Sequence, residues 1–370
     1  MNGKTRVVVA MSGGVDSSAA AALLVERGYD VVGIMLRLWA EDGPEAARAN
    51  RCCTPEAVAD ARAIAVRLGI PFYDIHAGTV FKRAVVDPWI AGYAGATTPN
   101  PCFNCNRHIR FGFLMQRALA LGADYLATGH YARIERSGTP PSCSYRLLKG
   151  RDPKKDQSYV LHVLGQKDLA RAMFPCGDYT KDEVRALARR FGLPTAERPE
   201  SQDLCFLTRG DYRDFLARQA PGMAQPGPIL DARGGVLGQH AGLPFYTIGQ
   251  RKGLNLHTRS ASAPPLYVLR LDPARNALIV GELDALGVRR VVIHKMHYVS
   301  GAAPAEPLRC SARIRYKARE ASCLLMPAPN GGAVVEFDAL QRDVTPGQGL
   351  VAYDGEAVLG GGLIGTSPES

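Results

Sequence analysis

The sequence predicts an α/β protein: an open parallel sheet first, then a small, mostly β segment, then a terminal β-barrel or sandwich. Three observations carry this prediction. A β-branched run at Val7–Val9 passes through a glycine turn into an Ala/Leu-rich helix that ends near Arg27. Strand-like and helix-like runs then alternate as far as Thr128, the pattern of a parallel sheet covered on both faces. From Pro221 glycine and proline become frequent, and from Asp284 short apolar runs recur at regular spacing. The expected segments are residues 1–212, 213–283 and 284–370.

The first turn reads Ser12-Gly13-Gly14-Val15-Asp16-Ser17. Strand, glycine turn and helix together aim backbone N–H groups at an anion, and paired glycines let phosphate oxygens come close. The string lacks the lysine of a Walker loop and the spacing of a dinucleotide fingerprint. Gly28 reads as the helix C-cap. Val31–Leu36 is the second strand, and the polar stretch Ala40–Arg51 reads as a loop over a nucleotide. Thr54-Pro55-Glu56 opens a helix to Leu68. Phe72–Ile75 is a strand. Thr79–Tyr93 is helical, with a break expected at Asp87-Pro88. A helix over Asn106–Leu121 and a strand at Tyr125–Thr128 follow. Gly129-His130, just past that strand, falls where parallel sheets bind ligands.

Ala132–Ile134 and Tyr145–Lys149 read as a hairpin, and Thr180 to Glu183 as a capping box. Phe245–Ile248 and Leu266–Leu271 are short strands of the central segment. Val291–His294, Ala312–Tyr316, Ala333–Phe337 and Leu350–Tyr353 are strands of the terminal one.

The chain has 370 residues, a net charge of +10 and nine cysteines. The charge suggests a polyanionic partner. No run is long or apolar enough to span a membrane and no signal peptide is evident, so the expected location is the cytoplasm, with reduced thiols. The last segment, from Asp284, carries nine basic and nine acidic residues. The excess positive charge therefore lies in the first two segments. Arg313, Arg315, Lys317 and Arg319 alternate along an expected strand and suit either solvent or phosphates.

Cys102 and Cys105 form a CxxC in Thr98–Asn106. Cys105 is expected at or just before a helix N-terminus, where the dipole and nearby Arg107 and Arg110 would lower its pKa. The residues alone leave a nucleophile, a redox pair and a metal site open. Cys205 lies in a loop about a hundred residues later. Cys143, Cys176, Cys310 and Cys323 read as incidental.

Together SGGVDS (12–17), Cys52-Cys53, TPNPCFNCN (98–106), ATGHYAR (127–133), KKDQSYVL (154–161), SQDLCF (201–206), YTIGQRKGL (246–254), IRYKA (314–318) and TPGQ (345–348) resemble the bacterial tRNA-specific 2-thiouridylases, end to end. The resemblance implies a PP-loop, nucleotide-hydrolase-like parallel-sheet domain, a small central domain and a C-terminal β-barrel. It implies that ATP with Mg²⁺ adenylates O2 of the wobble uridine. The ATP contacts would be Ala10, Met11, Ser12, Gly13, Gly14, Val15, Asp16, Ser17, Leu36 and Gly129. Cys205 would carry a persulfide received from a sulfur donor protein. Cys105 would be the nucleophile, leaving a Cys105–Cys205 disulfide. Asn100, Pro101 and Cys102 would face the target base. His130, Lys155, Asp156, Gln157, Arg315, Tyr316 and Gln348 would contact tRNA. The enzyme would act as a monomer.

Many family members carry Asp where this chain has Cys102. The thiol is then an auxiliary group, or one of three ligands with Cys105 and Cys205 of an iron–sulfur cluster that would carry the sulfur. Cys52-Cys53 gains no role. Other PP-loop tRNA ligases would need the phosphate loop but neither Cys105 nor Cys205. A non-catalytic thiol or metal RNA-binding protein would need no ATP.

Overall fold

A computed structural model describes residues 4–41, 55–139, 142–198, 204–207, 211–256 and 263–366. Strand β1 (Arg6–Ala10) is central in a five-stranded parallel sheet. Its neighbours are β2 (Asp30–Arg37), β3 (Phe72–His76), β4 (Tyr125–Ala127) and β7 (Ala172–Met173), in the order β3-β2-β1-β4-β7. Val7, Val8 and Val9 are fully buried, as a strand covered on both faces requires. Connections run outward in opposite directions from β1 and β4. A crevice therefore opens at the carboxyl ends of these two strands, between Ala10 and Ala127. Helix α1 (Val15–Glu26) packs its alanines under the sheet and ends at Gly28, whose φ of +82° is the left-handed cap glycine adopts readily.

Two helices depart from the sequence reading. Residues 78–94 form one continuous helix; the expected break at Asp87-Pro88 is absent. A π-helical turn over Lys82–Val86 shifts the hydrogen-bond register ahead of Pro88, which then sits in the first turn of the next α-helical stretch. The second helix begins at Pro101 rather than Asn106 and runs to Ala120, π-helical over Cys105–Leu114. Asn100 caps it, its side chain accepting from the Cys102 amide at 3.0 Å. The expected capping box at Thr180 forms: Thr180 accepts from the Glu183 amide, and Glu183 accepts from the Thr180 amide at 2.7 Å.

The central segment is a four-stranded sheet in which β8 (Gly227–Leu230), β9 (Val236–His240), β10 (Tyr267–Asp272) and β11 (Ala277–Gly281) lie in the order β10-β11-β8-β9. The expected strand at Phe245–Ile248 is instead a 3-10 turn ending at Phe245 and an irregular run. Tyr246 is held in the local core, so burial gives this stretch its apolar character without strand pairing.

Six antiparallel strands close the terminal barrel: β12 (Val288–Tyr298), β15 (Ala333–Gln341), β14 (Ala321–Pro327), β13 (Leu308–Arg313), β16 (Gly349–Asp354) and β17 (Ala357–Ile364). Pairing of Ile293 with Ile364 completes the ring. The expected strand Ala312–Tyr316 stops at Arg313, and residues 314–317 turn away. Arg315, Lys317 and Arg319 therefore do not alternate along a strand.

The hairpin β5 (Ala132–Ser137) and β6 (Ser144–Lys149) leaves the crevice and joins the barrel sheet, where Leu148 pairs with Ala357 of β17. One apolar cluster crosses the same junction, from Val8, Ile34 and Phe103 to Val351, Tyr353 and Val358. Beside it lies a charge cluster. Arg313 donates to Asp156 at 2.9 Å and to Glu320 at 2.8 Å, and Lys149 reaches Glu320 at 2.6 Å. The Asp156 side chain is only 2% exposed. Removing its cation strands a buried carboxylate, so Arg313→Ala should cost about 3–5 kcal/mol. Urea unfolding of the full chain measures this; a midpoint equal to wild type would mean Asp156 is not held as a charge.

Candidate active site

The phosphate loop sits at the crevice. Gly13 adopts φ +72°, and a Cβ there would lie 3.2 Å from the carbonyl oxygen of Ala57. Gly14 has φ −90° and its Cβ would meet only Ser12 Oγ at 3.4 Å, so the conformation demands glycine at the first position alone. The Ser12 amide donates to Ser17 Oγ, and Ser17 and Ser18 hydroxyls donate to the Gly14 carbonyl at 3.2 and 2.8 Å. Arg198 donates to the Gly13 carbonyl at 2.8 Å and pairs with Asp60. These bonds hold the loop from the serines that follow it and from the distant Arg198. Met11 is buried, its amide bonded to the Ile34 carbonyl. Ala10 and Leu36 pack on the core at neighbouring strand ends. A Cβ on Gly129 would come 2.7 Å from the Ser17 amide nitrogen, so glycine lets the turn after β4 close against the head of α1. The structure thus brings residues 10–17, Leu36 and Gly129 to one edge.

Asp16 is not a free carboxylate. Tyr131 donates to Oδ1 at 2.7 Å, and Lys181 donates to both oxygens at 2.8 and 2.9 Å. Lys181 is largely buried, on the first turn of the helix that the capping box opens. The sequence reading missed it, because nothing local links positions 165 residues apart. A bare carboxylate at this helix head would repel a triphosphate, and Lys181 cancels that charge. Lys181→Met should raise KM for ATP about tenfold or more with a smaller change in kcat; Asp16→Asn in the same chain should recover part of the loss. Steady-state kinetics of both variants decide this, and an unchanged KM in Lys181→Met would remove Lys181 from ATP binding.

Cys102 occupies the first turn of its helix and Cys105 the turn after, so the dipole argument fits Cys102 better than Cys105. Neither thiol is acidified. Cys102 is reached by solvent yet walled in by protein; burial pushes its pKa up to about 11, with Cys105 beside it adding and Arg110 opposing. Burial likewise raises Cys105, against Arg110. The expected lowering of the Cys105 pKa is therefore reversed, because desolvation outweighs the nearby cation. Cys105 packs on the apolar cluster of Phe81, Trp89 and Ile109, and Leu204 and Phe206, which flank Cys205, pack on that cluster too. Cys205 itself is exposed. Residues 201–203 and Cys52-Cys53 lie outside the described residues, as does all but Ala40 and Glu41 of the loop from Ala40 to Arg51. Among the described residues no three His, Cys, Asp or Glu side chains are grouped to hold a metal ion, so Cys102, Cys105 and Cys205 do not stand as a ligand set.

The thiol helix is bonded to His130, whose chain neighbours Gly129 and Tyr131 meet Ser17 and Asp16 of the phosphate loop. Arg110 contacts His130 Nε2 at 2.9 Å, and Thr128 Oγ1 lies 2.7 Å from Nδ1. A guanidinium only donates, so Nε2 accepts and Nδ1 carries the proton. Burial, then Arg110, holds the ring neutral, with its pKa well below the usual histidine range. His130 is thus buried and bonded at both nitrogens rather than presented to solvent. Asp156 and Gln157 also turn inward: Asp156 accepts from Ser158 and Arg313, and Gln157 from the Tyr131 amide at 3.0 Å. Gln348 donates to the Thr98 carbonyl at 2.7 Å, and the Thr98 amide donates to the Pro346 carbonyl at 2.8 Å. This places the Asn100–Cys102 stretch against the barrel. Tyr316 lies partly exposed over Tyr159, which meets Phe103, and Arg315 is half exposed beside Asp343. Lys155 is partly exposed. Of the expected tRNA contacts, Lys155, Arg315 and Tyr316 offer surface, and His130, Asp156, Gln157 and Gln348 hold the frame.

Family models match three consecutive stretches: a tRNA methyl transferase HUP domain over residues 5–209, a tRNA methyl transferase PRC-barrel domain over 213–282 and an aminomethyltransferase β-barrel domain over 288–364. The chain is 51% identical to a tRNA-specific 2-thiouridylase of Moorella thermoacetica, across 96% of this chain and 98% of that one. It is 48% identical to proteins of the same name from Roseiflexus castenholzii and Magnetococcus marinus, across 97% of this chain and 99% and 98% of theirs. Among the described residues no helix is long and apolar enough to cross a membrane.

Proposed function

Because this chain belongs to the tRNA-specific 2-thiouridylase family, we propose that its phosphate loop activates the wobble uridine of tRNA and that Cys205 and Cys105 deliver the sulfur. The chain is an ATP-dependent tRNA-uridine 2-sulfurtransferase, with the parallel-sheet, central and barrel segments described above. Methyl transfer, the wording of two of the matching models, has no need of a phosphate loop or of paired cysteines.

Uridine O2 attacks the α-phosphate of ATP and pyrophosphate leaves, which makes O2 part of a good leaving group. The terminal sulfur of a Cys205 persulfide attacks C2 and AMP departs with the original oxygen. The Cys105 thiolate then attacks Cys205 Sγ. The S–S bond to the transferred sulfur breaks, 2-thiouridine is released, and a Cys105–Cys205 disulfide awaits a two-electron reductant. A persulfide donor protein supplies the sulfur. Mg²⁺ fits as a companion of the phosphates, since Asp16, the loop's carboxylate, is already held by Lys181 and Tyr131. The cytoplasm, where thiols stay reduced, suits this chemistry.

The observation that supports this reading most is the shared apolar cluster under Cys105 and the flanks of Cys205; the helix of Cys105 is bonded through Arg110 to His130, between Gly129 and Tyr131, which meet Ser17 and Asp16 of the phosphate loop. The test is incubation with ATP, Mg²⁺, a persulfide donor and unmodified tRNA, followed by nucleoside analysis. 2-Thiouridine is expected; its absence with every component present would overturn the reading. The raised thiol pKa values give the reaction a sign. A thiol with a raised pKa keeps its proton at neutral pH, so thiolate is gained as pH rises. Single-turnover sulfur transfer should increase about tenfold per unit between roughly pH 7 and 9. A flat profile would show that Cys105 deprotonation does not limit transfer.

A further inference from the structure

Cys310 and Cys323 stand directly opposite each other on β13 and β14, with their sulfurs 3.7 Å apart in a thiol–thiol contact. Cross-strand neighbours have Cα atoms about 4.5–5.5 Å apart, within the span a disulfide bridges without backbone movement. The two thiols differ. Cys323 is fully buried, whereas Cys310 is partly exposed. The contact with Cys323 holds the Cys310 thiol below its ordinary range. An oxidant therefore meets a reachable, more acidic sulfur with a second sulfur behind it, the arrangement of an attacked and a resolving thiol.

We propose that Cys310 and Cys323 form a reversible two-electron oxidation site, separate from the sulfur-transfer cysteines, that accepts a hydroperoxide as oxidant. With hydrogen peroxide, the Cys310 thiolate attacks one oxygen, the O–O bond breaks, and the hydroxide that leaves takes up the proton Cys310 released, giving water. Cys323 Sγ then attacks the resulting sulfenic sulfur. The S–O bond breaks, the Cys323 proton leaves with that oxygen as a second water, and the disulfide remains. A dithiol reductant reverses it by exchange.

The position gives the bond an effect. The two cysteines are thirteen positions apart, and the ring they close contains Arg313 and Glu320 of the junction cluster and the exposed turn with Arg315 and Tyr316. Closing it restrains that hairpin in the unfolded chain, and the oxidised protein should unfold at a temperature higher by on the order of 5 °C.

The experiment treats the full chain with hydrogen peroxide, maps its peptides by mass spectrometry without reduction, and repeats the mapping on Cys310→Ser. The expected result is a peptide linking Cys310 to Cys323, lighter by two hydrogens, that separates with dithiothreitol and is absent in the variant. The wild-type map decides the matter even if the variant folds poorly. Cys310 and Cys323 both remaining thiols while Cys205 is oxidised would overturn the proposal. So would Cys310 recovered as sulfinic acid beside an intact Cys323 thiol.

Discussion

Cys205→Ser is expected to abolish 2-thiouridine formation while leaving tRNA-dependent ATP–pyrophosphate exchange within a few-fold of wild type. A hydroxyl cannot hold a persulfide, so no sulfur reaches the tRNA, yet the phosphate loop and its partners are untouched. Cys105→Ser should accept labelled sulfur on Cys205 and still fail to release product. Loss of a reacting group of this kind costs on the order of 10³-fold or more. The two variants separate the stages: one blocks loading, the other discharge. Thiolation at the wild-type rate by either would take that cysteine out of the chemistry. Both sites should tolerate serine structurally, since Cys205 is exposed and Cys105 lies at the margin of its cluster rather than in its core.

The second large effect is expected at Gly13. Valine there needs a left-handed backbone that β-branched residues scarcely adopt, and its Cβ would press on the Ala57 carbonyl at 3.2 Å. The loop must give way, and with it the amide array that faces phosphate. ATP affinity should fall about a hundredfold or more in a chain that still folds. Gly14→Ala is the control. Its backbone is extended and the new methyl meets only Ser12 Oγ, so ATP affinity should fall far less. Calorimetric titration of ATP into both variants measures the difference. Equal losses would mean that Gly14 is needed for close approach of the phosphate itself, a constraint of the ligand rather than of the fold.

What was legible in the sequence was local. The strand–glycine–helix at Val7 to Arg27 and the capping box at Thr180 each declare themselves within a few residues. The start of the thiol helix was also written locally but read wrongly: Pro99 and Pro101 look like a stiff approach, whereas Asn100-Pro101 is a cap followed by a first-turn proline. That shift of five residues moved Cys105 off the helix end and removed the reason for an acidic thiol. The π-helical turns have no periodic signal of their own. The remaining misses are contacts across long stretches of chain. Asp156 with Arg313 and Asp16 with Lys181 are charged pairs that composition presents as surface, and only the fold brings them together. Cys310 and Cys323 read as incidental for the same reason, since the register that sets them face to face is a property of the sheet.

The hairpin β5–β6 has a consequence for how this protein is made. The ribosome emits it about two hundred residues before β17, the strand it pairs with. Until residues 349–364 emerge, the apolar cluster under Phe103 lacks Val351, Tyr353 and Val358, and one hairpin edge has no partner. An edge left bare during synthesis is a template for the wrong strand. The nascent chain therefore passes through a long interval in which its first domain is built and incompletely covered. Truncations that end before β16 should accumulate in aggregates, and the rate at which full-length enzyme appears should be set by closure of the barrel.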